Sequence, residues 1–177
     1  MFLFCSTGPA CDNIGGYSLQ GTLTPSPQGG NFMAFDADPA FSGPFYQTIS
    51  GLTTGAQYTL SFYMATSTEY GISTDTTQSL TATLGGETFT TPTVDTPAGE
   101  FTPWVKYSTS FIYDGTGNVL SFLANGGPGG EPPYALLDGV SLAGGVPEPS
   151  TWAMILLGFG GIGFAVRARR KTVAVAA

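Results

Sequence analysis

The stretch YALLDGVSL, residues 134–142, sets one carboxylate, Asp138, among apolar neighbours. Strict strand alternation puts Leu136, Asp138, Val140 and Leu142 on one face, and that face reads as core-directed. A carboxylate there needs a partner, because an unpaired buried charge is strongly destabilising. Two readings stand for Asp138. It is an oxygen ligand of a structural Ca²⁺, or it sits at a sheet edge and accepts backbone N–H groups. In FDADPAF, residues 35–41, Asp36 and Asp38 stand two positions apart before a proline. They either offer oxygens to a cation or form an Asx-type turn after a strand, and the turn is favoured. Glu69, Asp75, Glu87, Asp95 and Glu100 are scattered through polar, loop-like sequence and read as solvated. Cys5 and Cys11 are close enough to close a small disulfide in an oxidising compartment; the alternative is two unpaired thiols.

The chain contains no histidine. That removes Ser-His-Asp and Cys-His nucleophile systems and His-ligated zinc. No arrangement of acids in the sequence forces a general acid/base pair, so the expected class is not an enzyme. Charge is segregated. Lys106 is the sole cation before residue 150, whereas all twelve acids lie at or before Glu148. An acidic body with no basic patch argues against nucleic-acid binding. Aromatic residues make up 13% of the chain, and exposed aromatic rings stack on sugars. Alternation assigns Tyr107, Phe111 and Tyr113 to a core face with Thr109. Tyr46, Tyr70 and Tyr134, being near turns, are the candidates for exposure.

The elements that must position these residues are short strands. With 26 glycines, 13 prolines and 10% charged residues, the 177-residue chain is poor material for long soluble helices. Strand-like segments fall at 17–23, 31–36, 45–50, 57–65, 79–84, 87–91, 104–113, 119–124 and 134–142. The clearest is YTLSFYMA, with Tyr58, Leu60, Phe62 and Met64 on one face. LGGET (84–88) reads as a tight hairpin and DGTGN (114–118) as another turn. The fold class expected is all-β, an antiparallel β-sandwich of jelly-roll type over residues 1–143, with a small closed barrel as the runner-up.

The C-terminal segment carries a different chemistry. Residues 144–151 form a Gly/Pro linker containing Pro147-Glu148-Pro149, and residues 152–166 carry no charge. As a helix those fifteen residues would span about 22 Å, against about 30 Å of hydrocarbon, a short transmembrane helix. Trp152 suits one interface, and Arg167, Arg169, Arg170 and Lys171 suit the other. A helix apolar all round, at the end of a chain, is better solvated by membrane lipid than by water. Basic residues stay inside, so residues 167–177 are expected as a cytoplasmic tail with the acidic body across the inner membrane, on the periplasmic side.

The order of triplet, Ser150-Thr151-Trp152-Ala153-Met154, Leu/Gly-rich run and Arg167-Ala168-Arg169-Arg170 closely resembles the PEP-CTERM protein-sorting signal, over about residues 146–171. The resemblance implies a bacterial exported protein recognised at its triplet by an exosortase. The tail would be removed and the body delivered to the cell surface or an extracellular polysaccharide matrix. The stretches at 31–65 and 132–142 are similar to the galactose-binding-like jelly roll of carbohydrate-binding modules. In those relatives the acid at the position of Asp138 helps hold structural calcium together with a Glu from an N-terminal strand. That Glu-bearing strand and a secretory leader are both missing here, and the resemblance therefore implies a chain that starts late, with one edge strand lacking. Carbohydrate binding is the alternative function, and an envelope polysaccharide hydrolase a third.

Overall fold

In a computed structural model of the protein, the residues described are 2–5, 13–14 and 17–144, with Met154, Leu156, Leu157 and Phe159. The chain divides into two compact units, Met1–Gly144 and Gly145–Ala177. Within the second, the four described residues are helical and exposed.

The first unit is built of strands. They are β1 (Phe2–Cys5), β2 (Asn13–Ile14), β3 (Tyr17–Ser18), β4 (Asn31–Asp36), β5 (Phe45–Thr48) and β6 (Gln57–Thr68). Then come β7 (Thr76–Leu84), β8 (Glu87–Thr90), β9 (Val94–Thr96), β10 (Val105–Ile112), β11 (Val119–Gly127) and β12 (Pro133–Gly144). Sheet I has the order β1-β4-β12-β6-β10; sheet II has the order β5-β11-β7-β8, with β9 also paired to β7. Every pairing in them is antiparallel. The fold is the expected all-β sandwich. β1 forms one edge of sheet I, in register with β4 from Phe2↔Ala34 to Cys5↔Asn31.

Alternation builds the core. From β6, Leu60, Phe62 and Met64 face Leu80, Ala82 and Leu84 of β7 and Leu120, Phe122 and Ala124 of β11. The Phe62 ring is at its centre, edge-on to Phe122 at 5.2 Å and to Phe89 at 6.2 Å. Such contacts favour the positive ring edge against a neighbouring π face. Tyr107 and Phe111 pack against this core from β10, as their alternation requires.

Sheet I is covered on its outer face as well. Phe32 and Ala34, Ala65, and Tyr134 and Leu136 form a second apolar cluster there with Leu19, joined by Leu23, Phe101 and Trp104. The Trp104 indole N–H donates to the Thr24 carbonyl at 3.1 Å, which pins this cover down. The C-terminal third of β6, Ala65 to Thr68, is consequently buried on both faces.

Double burial forces polar side chains to find each other. Gln78 on β7, fully buried, donates from Nε2 to the Thr76 hydroxyl at 2.7 Å and to the Ser67 carbonyl at 3.2 Å. Its Oε1 accepts the Thr96 hydroxyl at 2.6 Å. The Thr96 hydroxyl is in turn 2.6 Å from that of Thr66. This web ties β6, β7 and β9 together at one end of the sandwich.

Candidate functional site

Asp138 does not point into the sandwich. Its cross-strand partner on β6 is Tyr63, whereas Ser141 pairs with Ser61. Three steps along β12 thus match two along β6, and the extra residue is a β-bulge. Gly139 makes it feasible with φ +59°, and a Cβ there would lie 2.9 Å from the Tyr63 ring. The bulge reverses the faces. Ala135 and Leu137 lie in the inter-sheet core, Leu136 lies in the outer cluster, and Leu142 returns to the inter-sheet side. Val140 is exposed. The expected shared face of Leu136, Asp138, Val140 and Leu142 is therefore corrected: Leu136 and Asp138 do share a face, but it is the outer one, where Asp138 sits half-buried and accepts a hydrogen bond from the Ser26 hydroxyl, and the bulge carries Leu142 to the other side.

Ca²⁺ takes about six to eight oxygens, typically with several carboxylates among them. Asp138 brings one carboxylate and Ser26 one hydroxyl, and among the described residues no group of three acid, cysteine or histidine side chains comes together. Among the described residues, the side chains at Asp138 supply fewer oxygens than a calcium centre takes.

Asp36 and Asp38 form consecutive Asx turns. Asp36 Oδ1 accepts the Asp38 N–H at 2.9 Å, and Asp38 Oδ1 accepts the Ala40 N–H at 2.8 Å. Asp38 Oδ2 also accepts the Gly130 N–H at 2.5 Å, tying this turn to the loop between β11 and β12. The Ala40 and Gly130 N–H groups hold the Asp38 carboxyl below its ordinary pKa, outweighing the cost of its burial. Burial pushes Asp36 the other way, with the neighbouring Asp38 charge adding to the rise and the Asp38 N–H opposing it. Backbone N–H donors thus engage both acids.

The aromatic candidates separate. Tyr46 and Tyr70 are 66% and 76% exposed, whereas Tyr134 is fully buried in the outer cluster of sheet I. The correction for Tyr134 has a simple cause: Pro133 begins a central strand under the Leu19–Leu23 cover, not a surface turn. Phe41, 73% exposed, was not singled out by alternation because it follows a turn.

Tyr46 stands at the end of an ordered row. Cross-strand register aligns Tyr46 of β5, Ser121 of β11, Thr83 of β7 and Thr88 of β8 across the outer face of sheet II. The next row holds Leu123, Thr81 and Thr90. Neighbouring hydroxyls bond across strands, Thr83 to Ser121 at 2.6 Å and Thr81 to Thr90 at 3.0 Å, and Asn125 Nδ2 donates to Thr81 Oγ1 at 3.1 Å. The sequence signal was the Thr-x-Thr spacing in TTQSLTATL and ETFT, which puts hydroxyls on one face of adjacent strands.

Pro147, Glu148, Pro149, Trp152, Arg167, Arg169, Arg170 and Lys171 lie outside the described residues, as does Cys11. Among the described residues no helix is long and apolar enough to cross a membrane, and most of the segment expected to do so, 152–166, lies outside them.

Residues 145–171 match the family model of the PEP-CTERM protein-sorting motif. That motif implies an exported protein anchored by its C-terminus before cleavage. A search of curated proteins gave no match. Among solved structures the chain is similar to TmCBM61 in complex with beta-1,4-galactotriose, at 19% identity over 67% of this chain and 73% of that one, TM-score 0.44. It is similar to the CBM22-1 xylan-binding domain from Paenibacillus barcinonensis Xyn10C at 14% identity over 81% and 92%, TM-score 0.42. A third likeness is the enzymatically active domain of tailspike protein 4 of bacteriophage CBA120, at 13% identity over 75% of this chain and 20% of that one, TM-score 0.38. At these scores the likenesses assign neither ligand nor activity.

Proposed function

We propose that the protein is a non-catalytic exported β-sandwich, held by its C-terminal segment in the inner membrane, with the body on the periplasmic side, until an exosortase removes that segment, and then delivered to the cell surface or an exopolysaccharide matrix. The observation that carries this reading is the sorting motif at 145–171. Its physics supports the same sequence of events. Proline on each side of Glu148 disfavours helix there by sequence alone, as a recognition element for a processing enzyme requires, and an undersized apolar run suits temporary retention. The non-catalytic part rests on the chemistry present: no histidine in the chain, and an adjacent acid pair, Asp36 and Asp38, engaged by backbone N–H groups. The test replaces Pro147, Glu148 and Pro149 by alanine in the full chain, expressed in a host with an exosortase. The unaltered protein is expected to shorten and leave the membrane, and the altered one to stay full-length there. Equal processing of both would refute the reading.

A second reading, binding of an extracellular polysaccharide, is favoured by the Tyr46 row. A flat face of cross-bonded hydroxyls with an exposed ring at one end offers stacking plus polar contacts, the combination neutral sugars need. Affinity electrophoresis in gels cast with neutral polysaccharides tests it. Retardation that is lost in Tyr46→Ala supports it, and unretarded migration in every gel refutes it.

A further inference from the structure

We propose that the free edge of β10 is a self-association surface, on which a second copy of this chain pairs antiparallel about a two-fold axis at Thr109. Among the described residues β10 pairs with β6 alone, and it is one of the two edge strands of sheet I. Its eight residues, VKYSTSFI, pair with β6 in unbroken register from Val105↔Met64 to Ile112↔Gln57, without bulge or proline. Long, flat edges with little charge invite pairing with another strand, and proteins usually blunt them. Here Lys106 is the sole charge, and Val105 and Ile112 at the two ends are 47% and 56% exposed.

Which backbone groups face the edge follows from the ladder. Tyr113, one residue beyond β10, uses both its N–H and its C=O inward, on Ala56 and Gly55. Alternation then aims the N–H and C=O of Lys106, Ser108, Ser110 and Ile112 outward.

The occupant is read from the strand itself. Tyr107-Ser108-Thr109-Ser110-Phe111 has the same chemical order in both directions: aromatic, three hydroxyls, aromatic. Antiparallel pairing about Thr109 sets Tyr107 against the other copy's Phe111, Ser108 against its Ser110, and Lys106 against its Ile112. Every outward-facing residue meets an outward-facing residue, for about eight new backbone bonds. The aromatic pairs fall on the side where the sandwich is open. Tyr107 lines an apolar recess with Met64, Val94 and Val105, and Phe111 lines a mixed one with Leu60, Phe89, Glu87 and Thr88. Charge agrees as well. The body's single cation, Lys106, comes to the end of the opposing strand that Asp114 follows, so two acidic bodies meet where each offers its one positive group.

The test is light scattering with size-exclusion chromatography on the full chain in detergent, with detergent mass subtracted. Unaltered protein is expected at twice the chain mass. Ser108→Pro removes an outward N–H without touching the β6 ladder, and the pair Ser108→Lys and Ser110→Lys sets like charges opposite each other in the dimer alone. Both variants are expected at half the dimer mass, with unchanged thermal unfolding of the body in the monomer range. A monomeric unaltered chain at the highest soluble concentration, or a dimer that survives either variant, overturns the proposal.

Discussion

Replacing Gln78 by methionine isolates what the buried polar web contributes. Methionine keeps the length and much of the volume of glutamine, so the change removes hydrogen bonds and leaves little cavity. Gln78 currently partners the Ser67 carbonyl, the Thr76 hydroxyl and the Thr96 hydroxyl. Thr96 keeps its contact with Thr66, so the loss falls on the other two. At about 1–3 kcal/mol for each buried polar group left short of a partner, the expected destabilisation is about 2–6 kcal/mol. For a domain of this size that is a fall in Tm of roughly 8–24 °C. Circular dichroism during thermal unfolding reads it. A double-mutant cycle with Thr96→Val sharpens the result, because Thr96 donates to Gln78. Its cost should shrink by about 0.5–3 kcal/mol in the methionine background. A Tm within about 3 °C of the unaltered protein, or strict additivity in the cycle, would show that the web is incidental to stability.

Two further expectations concern the acids. Because the folded pKa of Asp38 is lowered, its stabilisation is present above the usual carboxylate range and is lost as pH falls through the lowered value. Asp36, raised by burial, contributes in the opposite sense, present at acid pH and lost as pH rises through its raised value. Urea unfolding from about pH 3 to about pH 7 should therefore show Asp38→Asn losing stability toward neutral pH and Asp36→Asn gaining it there; parallel curves for both variants would contradict the assignment. Calcium addition or chelation should leave Tm unmoved, since Asp138 and Ser26 supply too few oxygens; a rise in Tm with calcium that Asp138→Asn abolishes would restore the metal reading.

The parts of the fold that were legible in the sequence share a physical cause. β6 could be read from YTLSFYMA because one of its faces meets the opposite sheet, and the period-two pattern survives. The hairpin at Gly85-Gly86 and the turn after Asp114 were legible because only glycine takes positive φ cheaply, and Gly85, Gly115 and Gly117 do so. Asp138 was misplaced because Leu142 read as sharing its face and marked that face as core, whereas the residue inserted after Asp138 carries Leu142 to the opposite side. The burial of Tyr134 was hidden because it depends on the remote segment Leu19–Leu23 folding over sheet I. The burial of Thr66, Thr76 and Thr96 was hidden for a related reason: hydroxyl residues read as surface until a partner such as Gln78 is brought to them. β9 escaped notice because three residues between Pro92 and Pro97 are too few to show a period. The tail was the most readable part of all, since the order of triplet, apolar run and basic cluster is local.

β12 has one mechanical consequence. This strand runs from Pro133 to Gly144 between β4 and β6 in the middle of sheet I, and it is also where the sandwich ends. A load applied at Gly144 along the strand is resisted by many ladder bonds at once, in shear, from Gly144↔Tyr58 back to Pro133↔Thr68. A chain leaving from an outer strand would instead peel open one bond at a time. The body can accordingly bear traction through Gly144 without unravelling, and a cut beyond Gly144 leaves the pairings from Pro133 to Gly144 in place.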